Sequence, residues 1–186
     1  MTKALVILAD GCEELEAITV VDVLRRANVE VTAAARTEKR VTGAHGIVIE
    51  ADTVLEEIVA SSTYQSAEPF DVVVLPGGMP GARHLRDDAR VRALLVEQVA
   101  AGRWVAAICA GPIALEAAGI LGGRRATSYP GHALPSSRYV EERVVVDGNI
   151  VTSRGPGTAL EFALTLVERL VGAAKSQQLR NDMLVI

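Results

Sequence analysis

Two hydrophobic rhythms alternate along this chain. Residues 4–9 form an unbroken apolar run that stops at Asp10-Gly11, the pattern of a strand buried on both faces. From Glu13 onward, Leu15, Ile18, Thr19, Asp22 and Val23 recur at helical spacing to about Asn28, and Glu13, Glu14 and Glu16 load the first turn, where the helix dipole favours negative charge. Residues 29–34 supply the next strand, so the chain opens as a βαβ unit. Residues 46–51 alternate like a strand, and Asp52 can cap a helix running to about Ser61. A polar loop over 61–69 leads to a second buried strand, 70–75, halted by Pro76-Gly77-Gly78. Residues 87–101 read as a helix closed by Gly102, and 103–108 as a strand that hands over at Cys109-Ala110-Gly111 to a helix begun by Pro112.

Beyond Gly119 the rhythm changes. Residues 125–129 suit a strand, 144–152 a hairpin around Asp147-Gly148, 158–171 an apolar helix and 173–183 a short last one. Alternating strands and helices with a late hairpin predict a flavodoxin-like α/β sandwich, its mostly parallel sheet covered by helices on both faces.

Composition narrows the classes. The 186 residues suit one domain, 1–186, and 49% hydrophobic with 23% charged residues describe a globular chain. With 3% aromatics, the core must be built from Ala, Val, Leu and Ile. A net charge of −4 offers no basic surplus for nucleic acid or anionic membranes. No apolar run approaches spanning length, and the N-terminal run is too short for a signal peptide, so a cytoplasmic location is expected. The two cysteines then read as thiols rather than a disulfide framework. No metal-ligand spacing or cofactor motif stands out; the expectation is no metal and no cofactor.

In open α/β sheets, ligands bind at the carboxyl ends of the strands. Cys109 occupies such an end, on a strand-to-helix turn like a nucleophile elbow, where amides and dipole would lower a thiol's pKa. A buried, inert cysteine fits the same position. Gly77 and Gly78 supply either anion-binding amides or simply a tight turn. Glu16, one turn into the first helix, lies near the same edge, and either serves the site or faces water.

Together these strand ends make the chain resemble the ThiJ/PfpI superfamily, in the branch of the Parkinson-disease-associated redox and deglycase protein. The stretches that carry the resemblance are Glu13-Glu14-Leu15-Glu16, Val21-Asp22-Val23-Leu24-Arg25-Arg26-Ala27, Asp71-Val72-Val73-Val74-Leu75-Pro76-Gly77-Gly78, Ala106-Ala107-Ile108-Cys109-Ala110-Gly111-Pro112 and Thr152-Ser153-Arg154-Gly155-Pro156-Gly157-Thr158. The resemblance implies a homodimer, Cys109 as the reactive cysteine, Glu16 as its hydrogen-bonded acidic partner, and backbone at Gly78 and Ala110 lining an oxyanion site. It places the first helix at the dimer interface, with Glu13, Asp22 and Arg26 toward the partner. It implies activity on small reactive carbonyls or glycated substrates (glyoxalase or deglycase chemistry) and oxidative-stress sensing through a cysteine sulfinate. The alternative is a redox sensor or chaperone-like binding protein without turnover, switched by oxidation of Cys109.

Two departures stand out. Tyr129-Pro130 occupies the place where the branch often has His-Pro, with His132 three residues on; that histidine either reaches the pocket or sits on a surface loop. His45-Gly46 stands where some members carry a dimer-contacting arginine. Cys12 reads as a resolving thiol or as a small apolar residue. Peptidase and amidotransferase chemistry are disfavoured, because Ala110 replaces the protease branch's histidine and no His-x-Glu follows the elbow. A carboxylate beside a thiolate would suppress it, so Glu16 is expected to be protonated and to donate to the sulfur.

Overall fold

The computed structural model describes residues 1–60 and 69–185. Its strands are β1 (Lys3–Leu8), β2 (Glu30–Ala35), β3 (Arg40–Thr42), β4 (Val48–Glu50), β5 (Thr53–Val54), β6 (Val72–Leu75), β7 (Trp104–Ile108), β8 (Arg125–Ala126), β9 (Arg138–Tyr139), β10 (Val144–Asp147) and β11 (Ile150–Ser153). The helices are α1 (Glu14–Arg26), α2 (Leu55–Ala60), α3 (Gly81–Asp87), α4 (Ala89–Ala100), α5 (Pro112–Ala117), α6 (Ala159–Leu170) and α7 (Ala173–Asp182), with a 3₁₀ turn at Pro156–Thr158 before α6. Seven strands form the main sheet in the order β10-β11-β7-β6-β1-β2-β5, parallel except for the edge strand β10.

The continuous apolar runs become the inner strands because both sheet faces are covered. Along β1, Ala4, Val6 and Leu8 belong to one core, packed with Val20, Val23 and Leu24 of α1 and Phe162, Leu166 and Val167 of α6. Leu5 and Ile7 belong to the other, with Leu85 of α3, Leu94 and Leu95 of α4, and Leu115 of α5. Helices therefore flank both faces, and the three-layer sandwich expected from the sequence is the observed fold. Among the described residues, no helix is long and apolar enough to cross a membrane.

Several local readings are corrected. The alternating run 46–51 is a strand only at Val48–Glu50, and it pairs antiparallel with Arg40–Thr42 in a hairpin outside the main sheet. Asp52 does not cap a helix. Its carboxylate accepts from the Ala33 amide at 2.8 Å and from Arg25 at 3.0 Å, joining β2 to the stub β5. The single helix expected over 87–101 follows a separate α3, because the Asp88 side chain accepts from the Arg90 amide at 3.0 Å and caps a fresh start. Of the strand expected at 125–129 only Arg125–Ala126 forms, paired with β9 rather than with the main sheet. Beyond it, the Thr152 hydroxyl takes the Thr127 amide at 3.0 Å in place of a ladder bond. The hairpin β10–β11 forms as expected, with Gly148 at φ +58° in its turn. The loop expected over 61–69 falls, up to residue 68, outside the described residues.

In a chain so poor in aromatics, Phe162 is the largest fully buried side chain among the described residues. Phe162→Ala is expected to lower stability by about 3–5 kcal/mol through lost burial and an unfilled cavity. A urea midpoint lowered by that loss divided by the slope, with the slope itself unchanged, checks it.

Candidate active site

The strand order reverses beside β1. The chain winds outward through β2 and β5 on one side, then returns to place β6, β7 and β11 on the other. Such a reversal leaves a crevice at the carboxyl ends of the strands. Three segments meet there: the β1–α1 loop with the first turn of α1, the Pro76-Gly77-Gly78 turn after β6, and Cys109 after β7.

Cys109 sits at φ +62°, a left-handed conformation that non-glycine residues rarely adopt. Holding it there costs on the order of 1–3 kcal/mol, so neighbouring bonds must over-determine it. They do. The Cys109 amide donates to Ser153 O at 2.9 Å, its carbonyl accepts from the Tyr129 amide at 2.9 Å, and the Gly111 amide closes the turn on Ile108 O at 2.8 Å. The side chain emerges 8% exposed, facing the amides of Gly78 and Ala110.

Glu16 comes from α1. The Glu13 carboxylate caps that helix by accepting from the Glu16 amide at 2.7 Å, which orients the first turn. The Glu16 side chain is completely buried. Its Oε2 accepts from the Gly77 amide at 2.7 Å, while Oε1 is buried without a conventional hydrogen-bond partner, and the carboxyl interacts with the thiol of Cys109. Glycine at 77 makes this approach possible: a Cβ there would lie 2.6 Å from Cys109 Cβ and 2.9 Å from Glu16 Oε2. At Gly78, φ is +83° and a Cβ would meet the Glu13 amide at 2.3 Å. The Gly77 amide is thus committed to the carboxylate, leaving those of Gly78 and Ala110 toward sulfur.

Burial pushes the Glu16 carboxyl up to about 7, with Glu13's charge adding to the rise and the Gly77 amide opposing it. Burial also pushes the Cys109 thiol up, to about 12, and an ionised Glu16 raises it further against the pull of the Gly78 and Ala110 amides. This departs from the lowered thiol expected at a helix N-terminus. The reason is that α5 is only six residues long and the sulfur is almost sealed from water, beside a carboxyl. Two negative charges cannot coexist in this enclosure, so the pair titrates as a unit.

The remaining residues singled out from sequence lie around this centre. Tyr129 is 47% exposed, and its ring packs by Gly155 at the rim of a hollow of about 300 Å³ shared with Pro130, Arg143, Arg154 and Thr158. His132 lines a different hollow, with Leu134, Tyr139 and Glu141; its ring centroid is 6.2 Å from that of Tyr129. Cys12 is a free, fully buried thiol in the β1–α1 loop, pushed up to about 11 by burial and by Glu14. Asp22 and Arg26 pair with each other at 2.8 Å on the half-exposed face of α1. Sequence reasoning missed the Ser153–Thr158 hydroxyl contact, 2.6 Å, which with Gly155 fixes the loop behind the elbow. It also missed the contact between Glu14 and His45, at 2.8 Å. The only signal for either was the presence of polar residues beside a strand end.

The buried carboxyl has a consequence for stability. With its pKa raised from 4.5 to about 7, Glu16 keeps a proton in the folded protein that the unfolded chain releases. Its contribution is full below about pH 4.5 and is lost as pH rises through about 7. Glu16→Gln cannot ionise, so between about pH 5 and pH 8 it should gain on the unsubstituted protein by up to about 3 kcal/mol. Urea unfolding of both proteins at the two pH values checks this.

Residues 2–169 match the model of the DJ-1/PfpI family. The Parkinson disease protein 7 homolog of Danio rerio is 43% identical over 189 residues, covering 98% of this chain and 97% of the relative. The glutathione-independent glyoxalase DJR-1.2 of Caenorhabditis elegans is 36% identical over 185 residues, covering 97% of this chain and 95% of the relative. The crystal structure of Drosophila melanogaster DJ-1beta superposes with a TM-score of 0.92 at 42% identity, covering 100% of this chain and 98% of the other. With the elbow cysteine, the buried glutamate and the sheet order in place across that span, the chain belongs to the DJ-1/PfpI family.

Proposed function

We propose that the protein is a cytoplasmic, cysteine-dependent oxidative-stress enzyme acting on small reactive carbonyls, with Cys109 as nucleophile and Glu16 as proton carrier. The observation that carries this reading is the sealed Glu16–Cys109 pair with two backbone amides aimed at its sulfur. The name of the nematode relative, a glutathione-independent glyoxalase, supports the same chemistry.

The steps follow from a pair that holds one proton above about pH 7. Sulfur adds to the aldehyde carbon of methylglyoxal as the Glu16 carboxylate takes the thiol proton. The oxygen that gains charge turns to the Gly78 and Ala110 amides, which stabilise it as it forms. Glu16 then protonates that oxygen, giving a hemithioacetal. The carboxylate next removes the C1 proton, the electrons move to the C2 carbonyl, and Glu16 returns that proton to C2 while the C1 hydroxyl proton passes to the C2 oxygen. The product is a thioester, and water cleaves it to lactate and the free thiol. Methylglyoxal plus water becomes lactate, with no external electron acceptor. An early glycation adduct would enter the same path when sulfur displaces the amine from its carbon and the amine leaves with a proton from Glu16, giving the hemithioacetal.

The same groups favour an oxidised sulfur. Each of two peroxide molecules would transfer one oxygen to Cys109 and leave as water, giving the sulfinate. Its oxygens would accept from the Gly78 and Ala110 amides and from protonated Glu16 Oε1, an atom otherwise without a conventional partner. A sensor role without turnover rests on that same orphaned oxygen. We also assign a homodimer through α1, on which Leu15 and Ile18 are about half exposed, beside Ile47 and Val48 of the neighbouring hairpin. Glu13 and the Asp22–Arg26 pair lie on the same helix.

Cys109→Ser should abolish methylglyoxal turnover by purified protein, and Glu16→Gln should reduce kcat by about 10²–10⁴-fold. In the unsubstituted protein kcat/KM should rise with pH through about 7, as Glu16 becomes able to take the thiol proton. The residual rate of Glu16→Gln should lack that limb. Turnover that survives Cys109→Ser would sink the enzyme reading.

A further inference from the structure

The loop behind the elbow carries a guanidinium that the Glu16–Cys109 chemistry leaves unused. Ser153 pairs in register with Ile108, so Arg154 stands next to Cys109 across the β11–β7 pair, about one strand spacing (~5 Å) away along the backbone. The Cys109 amide donates to Ser153 O and the Tyr129 amide to Cys109 O, both at 2.9 Å. Arg154 and Tyr129 therefore belong to the two segments that hold the elbow, and both line the hollow of about 300 Å³ that also takes in Arg143. None of the residues lining it lies on α1 or the β3–β4 hairpin, the surfaces assigned above to the dimer.

The two arginines of this hollow are spent differently. Arg143 donates from Nε to Glu161 Oε2 at 2.7 Å and from Nη2 to Gly157 O at 3.0 Å, so its charge is matched and its position fixed. The Arg154 side chain is only 24% exposed, yet among the described residues its one partner is Glu141 Oε2 at 3.6 Å, beyond hydrogen-bonding distance. The Glu141 side chain is 76% exposed, and so long a pair with so exposed a partner contributes little. The donor fork of Arg154 is thus not committed to protein, and its geometry matches the oxygens of a carboxylate or phosphate.

We infer that Arg154 binds the anionic end of the substrate, and that the preferred substrates are α-oxoaldehydes with a carboxylate or phosphate beyond the ketone. The inference rests on the reactive-carbonyl reading above and narrows it. Methylglyoxal occupies only the reacting end; a charged group attached through its methyl carbon extends the molecule toward the hollow. That space equals the share of about ten water molecules, enough for a small hydrated acid tail. The chemistry is unchanged: an α-oxoaldehyde plus water becomes an α-hydroxy acid, and the added group leaves unaltered. Of the acids beside the two guanidiniums, Glu161 is engaged by Arg143, which leaves Glu141 as the competitor for Arg154.

The test compares turnover, by the purified full-length protein, of methylglyoxal, of dioxovalerate (methylglyoxal with a carboxymethyl group on its methyl carbon), of the neutral methyl ester of dioxovalerate, and of methylglyoxal carrying a phosphate on that carbon. Calorimetry with the charged α-hydroxy acid products reads the site without turnover. At least one anionic substrate should exceed the ester in kcat/KM by about ten- to hundredfold, and the better of the two identifies the anion. Arg154→Gln should remove that advantage, chiefly through KM, and Arg154→Lys should restore part of it. Glu141→Gln should tighten product binding, whereas an Arg154 that merely anchors Glu141 would leave it unchanged. That exposed variant decides the matter even if Arg154→Gln fails to fold. Equal kcat/KM for the anionic substrates and the ester, or product binding indifferent to Arg154 and Glu141, would overturn the inference with the carbonyl reading intact. Absence of all turnover alongside Arg154-dependent product binding would sink the carbonyl reading and leave the anion site standing.

Discussion

A carboxyl and a thiol enclosed together, with room for one negative charge between them, set the demands that the rest of this fold meets. Neither group is placed by its own segment alone. Glu16 is brought in by a helix whose cap is Glu13, and Cys109 by an elbow held at positive φ by Ser153 at the end of β11 and by the amide of Tyr129. The contact closes only because residue 77 has no side chain, since any Cβ there would collide with both partners. A glycine 61 residues from Glu16 is therefore as much a part of the site as the acid itself.

The sheet order explains why these parts meet. β1 and β6 are neighbours at the point where the winding reverses, and β7 follows directly. Their carboxyl ends open onto one crevice, so three loops distant in sequence become adjacent in space. The rigidity comes from two alanine-, valine- and leucine-rich cores on either side of the sheet, which fix the strand ends against which the elbow is strained. Electrostatics adds a second layer around the pair. Glu13 raises Glu16 by its charge while its hydrogen bond orients the same helix turn. Glu14, next to it, is held down to about 2 by His45 and hairpin amides, although its own burial opposes this. Two adjacent glutamates and a third two residues on thus behave in three different ways, according to the donors each meets.

Much of the architecture was legible in the sequence for identifiable reasons. Unbroken apolar runs announced β1, β6 and β7, and Pro112 after Cys109 marked the elbow, because proline suits a first helical position. What stayed hidden depended on distant partners. A first-turn glutamate reads the same whether it faces water or a core, and Glu16 is buried by Gly77. The imidazole of His45 had no readable role until the hairpin folded onto α1. The two-residue strands β5, β8 and β9 carry too few positions to show a period, and the side chains of Asp52 and Thr152 take over backbone bonds there. The lowered thiol expected for Cys109 failed on burial, which no local pattern encodes.

The central claim, that Glu16 holds a proton in this enclosure well above the ordinary carboxylate range, is open to direct observation. Infrared difference spectra between the unsubstituted protein and Glu16→Gln isolate the carbonyl stretch of that one carboxyl. The account predicts a protonated-acid band below about pH 6 that fades as pH rises through about 7, and that shifts in Cys109→Ser because the sulfur beside it is gone. Absence of that band at about pH 6, leaving only the carboxylate stretch of an ordinary surface glutamate, would contradict it.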